Sequence, residues 1–152
     1  MAGVFVDSSA TGLGPALMML NALGDDRRLA EGLAQIGGLI ESQTRERFTT
    51  KIAPGGEPWA PWSERYAASR RRGHSLLVAE GHLRDSIMWE LDADELRVGS
   101  NLVYAAIHQF GGTPDMHPGP AAIPARAYLG LSDADVVEIE DELEHWIAGV
   151  LQ

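Results

Sequence analysis

The sequence predicts an α+β fold: a long amphipathic helix packed on a small antiparallel sheet, with short helices and a C-terminal helix completing the core. Three observations predict it. Leu29, Leu33, Ile36 and Ile40 recur at three- and four-residue intervals, and Phe48 extends the stripe, which is the spacing of one helix face. Ser86–Leu91 and Glu95–Gly99 are strand-like runs joined at Asp92–Asp94, the layout of an antiparallel hairpin. Val136, Ile139, Leu143, Trp146, Ile147 and Val150 form a second helical stripe. With 152 residues and 45% hydrophobic content, the expectation is one domain, residues 1–152, that buries its own core.

The elements follow in order. Val4–Asp7 is a short β-like segment, Thr11–Pro15 a turn, and Leu13 to Leu23 has helical spacing broken near Gly24. The main helix starts at Asp25 or Asp26, whose carboxylates suit a helix N-terminus, and reaches about Thr49. Gly32, Gly37 and Gly38 each weaken it by up to about 1 kcal/mol relative to alanine, so they mark close contacts or a break. Pro54 to Trp62, PGGEPWAPW, is a rigid aromatic loop, and Ser63 caps a helix of about ten residues ending at Gly73. Asn101 caps a short helix with Leu102, Ala105 and Ala106 on its apolar face, stopped by Gly111 and Gly112. Thr113 to Ala121 carries Pro114, Pro118 and Pro120 and reads as a mobile loop that orders on assembly. Pro124 sets an extended entry into Arg126–Tyr128, and the last helix starts at Ser132.

Composition narrows the function. There are no cysteines, which excludes disulfides and cysteine–zinc sites. The first residues lack the basic and apolar regions of a signal peptide, and no run reaches the ~18 apolar residues of a membrane span, so the chain is expected to be soluble and cytoplasmic when made, with no membrane partner. A net charge of -10 argues against general nucleic-acid binding, which needs cationic surface. The charge is also divided. Eight Lys/Arg face four Asp/Glu between Arg45 and Arg84, whereas Leu131–Gln152 holds seven Asp/Glu and no Lys/Arg. The two regions are either solvated faces or mutually attractive surfaces, within one chain or between copies.

No catalytic constellation is legible. The histidines, at 74, 82, 108, 117 and 145, form no HExxH or comparable ligand spacing, and neither a nucleophile elbow nor a Walker-type Gly-Lys-Ser/Thr occurs. The expectation is no cofactor and no metal. His108, one turn past Tyr104, is read as a ring hydrogen-bonded to backbone that orients Gly111–Gly112; the competing reading is a metal- or acid–base-dependent hydrolase using His108 with a carboxylate such as Asp115. Arg70, Arg71 and Arg72 track DNA phosphates, meet a partner's carboxylates, or simply decorate a helix C-terminus. Trp59 and Trp62 are core plugs or interface anchors, and one of each is expected.

Two motifs carry a resemblance. Tyr104, Ala105, His108, Gln109, Phe110, Gly111 and Gly112, then Ile123, Pro124, Ala125, Arg126, Tyr128, Leu129 and Gly130, reproduce a Tyr-Ala-x-x-His-Gln-Phe-Gly-Gly run followed by Ile-Pro-Ala-Arg-x-Tyr/Phe-Leu-Gly. Arg47, Phe48, Pro54, Gly56, Trp59, Pro61 and Ser63 match a third run, in which Trp62 replaces the usual leucine. Leu77, Gly81, Leu83 and Ser86 match a fourth, with Glu80 in place of a common threonine. In these residues the chain resembles the phage virion morphogenesis family, the tail-completion proteins of Mu-like and related tailed phages. The resemblance implies a structural protein of the head–tail junction, made in the host cytoplasm and located in the virion. It implies a homo-oligomeric ring of six copies, contacts with other neck, connector and tail proteins, and contact with DNA passing through the lumen. The interaction residues expected on this reading are Trp59, Trp62, Arg70, Arg71, Arg72, Tyr104, His108, Phe110, Gly111, Gly112, Pro114, Pro118, Ile123, Pro124, Arg126 and Tyr128.

Overall fold

The computed structural model describes residues 3–5, 18, 24–92, 95–113, 115 and 123–152. Its architecture is α+β. In chain order the elements are β1 (Val4–Phe5), α1 (Asp26–Thr50), α2 (Glu64–Ser69), α3 (His82–Asp85), β2 (Met88–Asp92), β3 (Glu95–Ser100), α4 (Ala105–Phe110) and α5 (Asp133–Val150). The helical reading of Leu13 to Leu23, the Asp92–Asp94 turn and the loop carrying Pro114 and Pro118 lie largely outside the described residues.

Local chemistry sets the helix ends. Asp25 caps α1 by accepting from the backbone N–H groups of Arg27 and Arg28. Ser132 and Asp135 form a reciprocal capping box on α5. Two helix expectations are corrected. Asn101 is exposed and caps nothing; α4 begins after Tyr104, because the Leu102 N–H is already taken by the Ser100 hydroxyl at 3.2 Å. The helix after Ser63 stops at Ser69 rather than Gly73. Ser69 Oγ folds back onto the carbonyls of Arg65 and Tyr66, and Arg70 is extended.

The sheet is antiparallel, in the order β1-β3-β2, with Trp89 opposite Val98 and Leu91 opposite Leu96. Alternation turns those four toward α1 while Met88, Glu90 and Asp92 stay exposed. Gly32 and Gly37 of α1 mark contacts, and the helix runs unbroken through Gly38, where a Cβ would meet nothing within 4 Å. A Cβ at Gly37 would stand 2.6 Å from the Trp89 ring, and one at Gly32 would stand 3.2 Å from the Trp146 ring. Two apolar clusters result. Ile36 meets Ile139, Leu143 and Ile147 where α1 packs on α5. Phe48, Trp59, Leu83, Ile87, Ala105, Tyr128 and Leu129 form the other, at the C-terminal end of α1. Among the described residues no helix is long and apolar enough to cross a membrane.

Candidate functional site

The second cluster supports a groove of about 620 Å³ on the protein surface. Its walls come from distant parts of the chain: Trp62 and Tyr66; the turn and loop from His74 to Leu83; Tyr104 and His108 of the α4 segment; and Ile123, Pro124 and Arg126. Six of the residues expected at an interface therefore meet in one place: Trp62, Tyr104, His108, Ile123, Pro124 and Arg126.

One side chain joins the two motifs that line it. Gln109 is 6% exposed, and its Oε1 accepts from the backbone N–H groups of Tyr128 and Leu129, each at 3.0 Å. Its Nε2 donates to the Leu129 carbonyl at 3.1 Å. The amide thus acts as a stretch of β-ladder between α4 and the segment 123–130. The place of Gln109 in the motif carries no sign of this task beyond its being the one amide side chain of a six-residue helix. Gly112 N–H donates to the Ile123 carbonyl and Arg126 N–H to the His108 carbonyl, both at 2.8 Å. Gly111 has φ 82°, and a Cβ there would stand 3.0 Å from Ala125 N, so both the conformation and the close approach call for glycine.

Other predicted contact residues turn out to be internal. Tyr128 is fully buried, and its hydroxyl donates to the Ala105 carbonyl at 2.8 Å; burial raises its pKa and keeps it a donor. Trp59 is 5% exposed, stands edge-on to Phe48 at 5.4 Å, and donates from Nε1 to the Ala127 carbonyl. Neither ring is available to a partner. The Arg126 guanidinium is likewise buried and donates to the carbonyls of Ala60 and Pro61 at 2.7 and 3.0 Å, fastening the Pro-rich loop to the groove wall. Behind it, Arg47 donates to the carbonyls of Tyr128 and Gly130 and pairs with Asp135 of α5. Burial lowers the Arg47 pKa, and the Asp135 charge opposes that shift. Part of the basic–acidic division is thus used within the chain.

The groove's open side is aromatic and cationic. Trp62 is half-buried, Tyr66 lies edge-on to it at 5.9 Å, and the Arg70 guanidinium stacks over its ring at 4.2 Å. Arg70 also donates to the His74 carbonyl, and Arg71 reaches Glu80 at 3.8 Å. No residue of α2 is buried, so Arg70–Arg72 follow a surface helix. Tyr104 is 41% and Phe110 64% exposed. Leu77 has φ 56°, an uncommon conformation for a branched side chain, within the turn closed by the Ser75–Val78 backbone pair. Lys51, itself left-handed at φ 61°, holds that turn through the Ser75 hydroxyl and the Leu76 carbonyl.

His108 departs from its expected role. Its ring lies edge-on to Tyr104 at 6.1 Å, but its buried Nδ1 has no hydrogen-bond partner. It is the backbone carbonyl, not the ring, that binds Arg126. Burial, and then the Arg126 charge, lower the His108 pKa and favour a neutral ring. No ion pair among the described residues joins it to a carboxylate, and Asp115 is hydrogen-bonded by Thr113 instead. Among the described residues no group of three histidines and carboxylates is placed to hold a metal ion.

Comparison with known proteins follows this geometry. Over 142 residues the chain is 36% identical to a protein of Escherichia phage Mu named for capsid assembly, protein G, a match spanning 90% of this chain and 89% of that one. It is 34% identical over 114 residues to the Mu-like prophage FluMu G protein 2 of Haemophilus influenzae, covering 75% of each chain. FluMu G protein 1 of the same organism is 27% identical over 124 residues, covering 78% of this chain and 79% of its own. No solved structure matches the chain. The family model that matches residues 11–148 takes in α1, strands β2 and β3, the groove and all but the end of α5, and by that match this chain belongs to the phage virion morphogenesis family.

Proposed function

We propose that the protein is a structural component of the phage head–tail junction, not an enzyme, and that it acts in tail completion and head joining as the subunit of a ring of six. One observation carries this reading beyond family membership. The two strongest motifs are spent on internal fastening, through Gln109, Arg126 and Tyr128, and what they hold open to solvent is an aromatic groove with Arg70 stacked at its edge. That construction suits a surface that docks and stays docked. Exposed Tyr66 and Tyr104 supply apolar area, and the Arg70 guanidinium, held over Trp62, supplies orientation. A ring further requires two different complementary surfaces on each copy, which the division of charge along this chain provides.

The test is the particle. Phage lacking this chain should yield filled heads and tails that fail to stay joined, and supplying the protein in trans should restore joined virions. Normal numbers of joined, infectious particles in its absence would overturn the reading. Mass measurement of the assembled layer decides the copy number.

A further inference from the structure

We propose that the groove is the socket for the C-terminal helix of a second copy of this chain, so that copies associate head to tail. The inference rests on the reading of the protein as a ring subunit and names the contact that would build the ring.

The first argument is a second stripe on α5. Ile139, Leu143 and Ile147 bury its inner face against α1. On the outer side Val137, Asp141, Glu144, Ala148 and Leu151 recur at alternating intervals of four and three residues, and all five are exposed. Val137 is 54% and Leu151 64% exposed, so the stripe has an apolar residue at each end and two carboxylates between them. The spacing matches that of a helix laid into a groove.

The second argument is complementarity. The groove offers Trp62, Tyr66 and Tyr104 as apolar surface, with Arg70 stacked on Trp62 and Arg71 reaching Glu80 at its edge, and Arg72 next in the chain. Leu131–Gln152 contains no Lys or Arg, and neither Asp141 nor Glu144 has an ion-pair partner among the described residues. Arg72 is exposed and also unpaired among them. Glu80, on the same wall, lies 3.8 Å from the Arg71 guanidinium and 3.6 Å from His74 Nε2. Opposite charge between socket and helix would steer the encounter and fix its direction.

The third argument is geometry. No residue of α5 lines the groove, and α5 is committed to α1 through its inner face. A chain therefore does not fill its own socket with this helix, and socket and helix are different surfaces. Such a contact is heterologous, and repetition closes it into a ring when the rotation permits.

The experiment uses two charge-reversed full-length chains. One carries Arg70→Glu, Arg71→Glu and Arg72→Glu; the other carries Asp141→Arg and Glu144→Arg. All five positions are exposed, and circular dichroism with a thermal melt verifies that each chain folds. Sedimentation velocity then reads self-association. Each variant alone should associate at least about tenfold more weakly than the wild type, since like charges then meet at every junction. An equimolar mixture should recover association to within about threefold of the wild type, because each reversed socket now meets a reversed helix. Raised salt should weaken the wild type and the mixture alike. Absence of recovery in the mixture, or association of either variant alone at wild-type strength, would overturn the socket. A wild type that remains monomeric at every concentration would overturn it as well, while the yield of joined particles judges the neck reading separately. If the arginine variant keeps the wild-type oligomer yet fails to join particles, the groove belongs to another virion protein and the proposal is wrong, with the neck reading intact.

Discussion

Replacing Gln109 with alanine should destabilise the fold more than any exposed change in the same motif. The amide satisfies three buried backbone groups, the N–H groups of Tyr128 and Leu129 and the carbonyl of Leu129. With the residue only 6% exposed, solvent does not readily replace it. A buried polar group left unpaired costs about 1–3 kcal/mol, and partial entry of water into the vacated space reduces the sum for three such groups. The expected loss is therefore about 3–5 kcal/mol. Gln109→Glu keeps an acceptor but sets a carboxylate oxygen against the Leu129 carbonyl in a buried site, so it should cost at least as much as alanine. Phe110→Ala, one residue along and 64% exposed, serves as the control and should stay within about 0.5 kcal/mol. Urea unfolding followed by tryptophan fluorescence supplies the measurement, since Trp59 Nε1 is bonded to Ala127 beside the clamp. A loss under about 1 kcal/mol for Gln109→Ala, or one equal to that of Phe110→Ala, would refute the account of how the two motifs are joined.

Acidification gives a second check. The folded His108 pKa lies below its ordinary 6.5, so the unfolded chain binds a proton that the folded chain refuses. Its contribution is fully present above about pH 6.5 and is lost as pH falls toward the folded pKa, by at most ~1.4 kcal/mol per pH unit. His108→Gln should flatten the pH dependence of thermal melts there, and parallel curves would count against a buried neutral ring. Gly37→Ala forces a methyl group into the Trp89 ring and should cost about 1–3 kcal/mol. Gly38→Ala meets nothing within 4 Å and should gain up to about 1 kcal/mol, so melting temperatures that move in the same direction would sink this contrast. Arg47→Met strands Asp135 and two carbonyls in a buried site, with about 3–5 kcal/mol lost on chemical denaturation; a cost below about 1 kcal/mol would show the pair to be dispensable. Trp62→Leu should leave folding largely intact while removing the ring on which Arg70 stacks, and an unchanged strength of self-association would speak against Trp62 as part of the docking surface.

What was legible in the sequence is what short-range chemistry decides. The stripe from Leu29 to Phe48, the carboxylate of Asp25 and the Ser132 cap are local, so α1 and α5 fall close to their expected places. Asn101 was misleading because cap preference is only a preference: the nearby Ser100 hydroxyl already serves the Leu102 N–H, and the chain turns through two more residues before coiling. Ser86 was read as strand. Its hydroxyl instead returns to the Leu83 carbonyl and to Ser100 Oγ, which delays β2 to Met88. The groove was legible as residues but not as a place. Trp62, His108 and Arg126 are brought together by contacts between residues 18 to 66 positions apart, and no spacing rule reports those.

The internal use of the motifs bears on where partner choice resides. Gln109 grips main chain at residues 128–129, and Arg126 grips the carbonyls of residues 60 and 61. Such bonds constrain the residue that reaches out and demand little of the side chains at the receiving end. Tyr128, Leu129 and Pro61, which receive these bonds, belong to the matched runs themselves, so the motifs fasten one another into a framework, and Trp62 takes part in none of these bonds. Trp62 illustrates the consequence. It follows immediately after the loop that Arg126 fastens, it replaces the leucine usual in the family resemblance, and its ring carries the Arg70 stack and the Tyr66 contact at the open side of the groove. A substitution there changes the shape of the groove's open side while leaving the fastening beneath it untouched. On the proposed reading, a common framework with a replaceable rim lets one fold serve necks whose neighbouring proteins differ. The chemistry that distinguishes this chain from its relatives is then to be sought at Trp62, Tyr66 and Arg70–Arg72, rather than in the Tyr104–Gly112 and Ile123–Gly130 motifs by which the family is known.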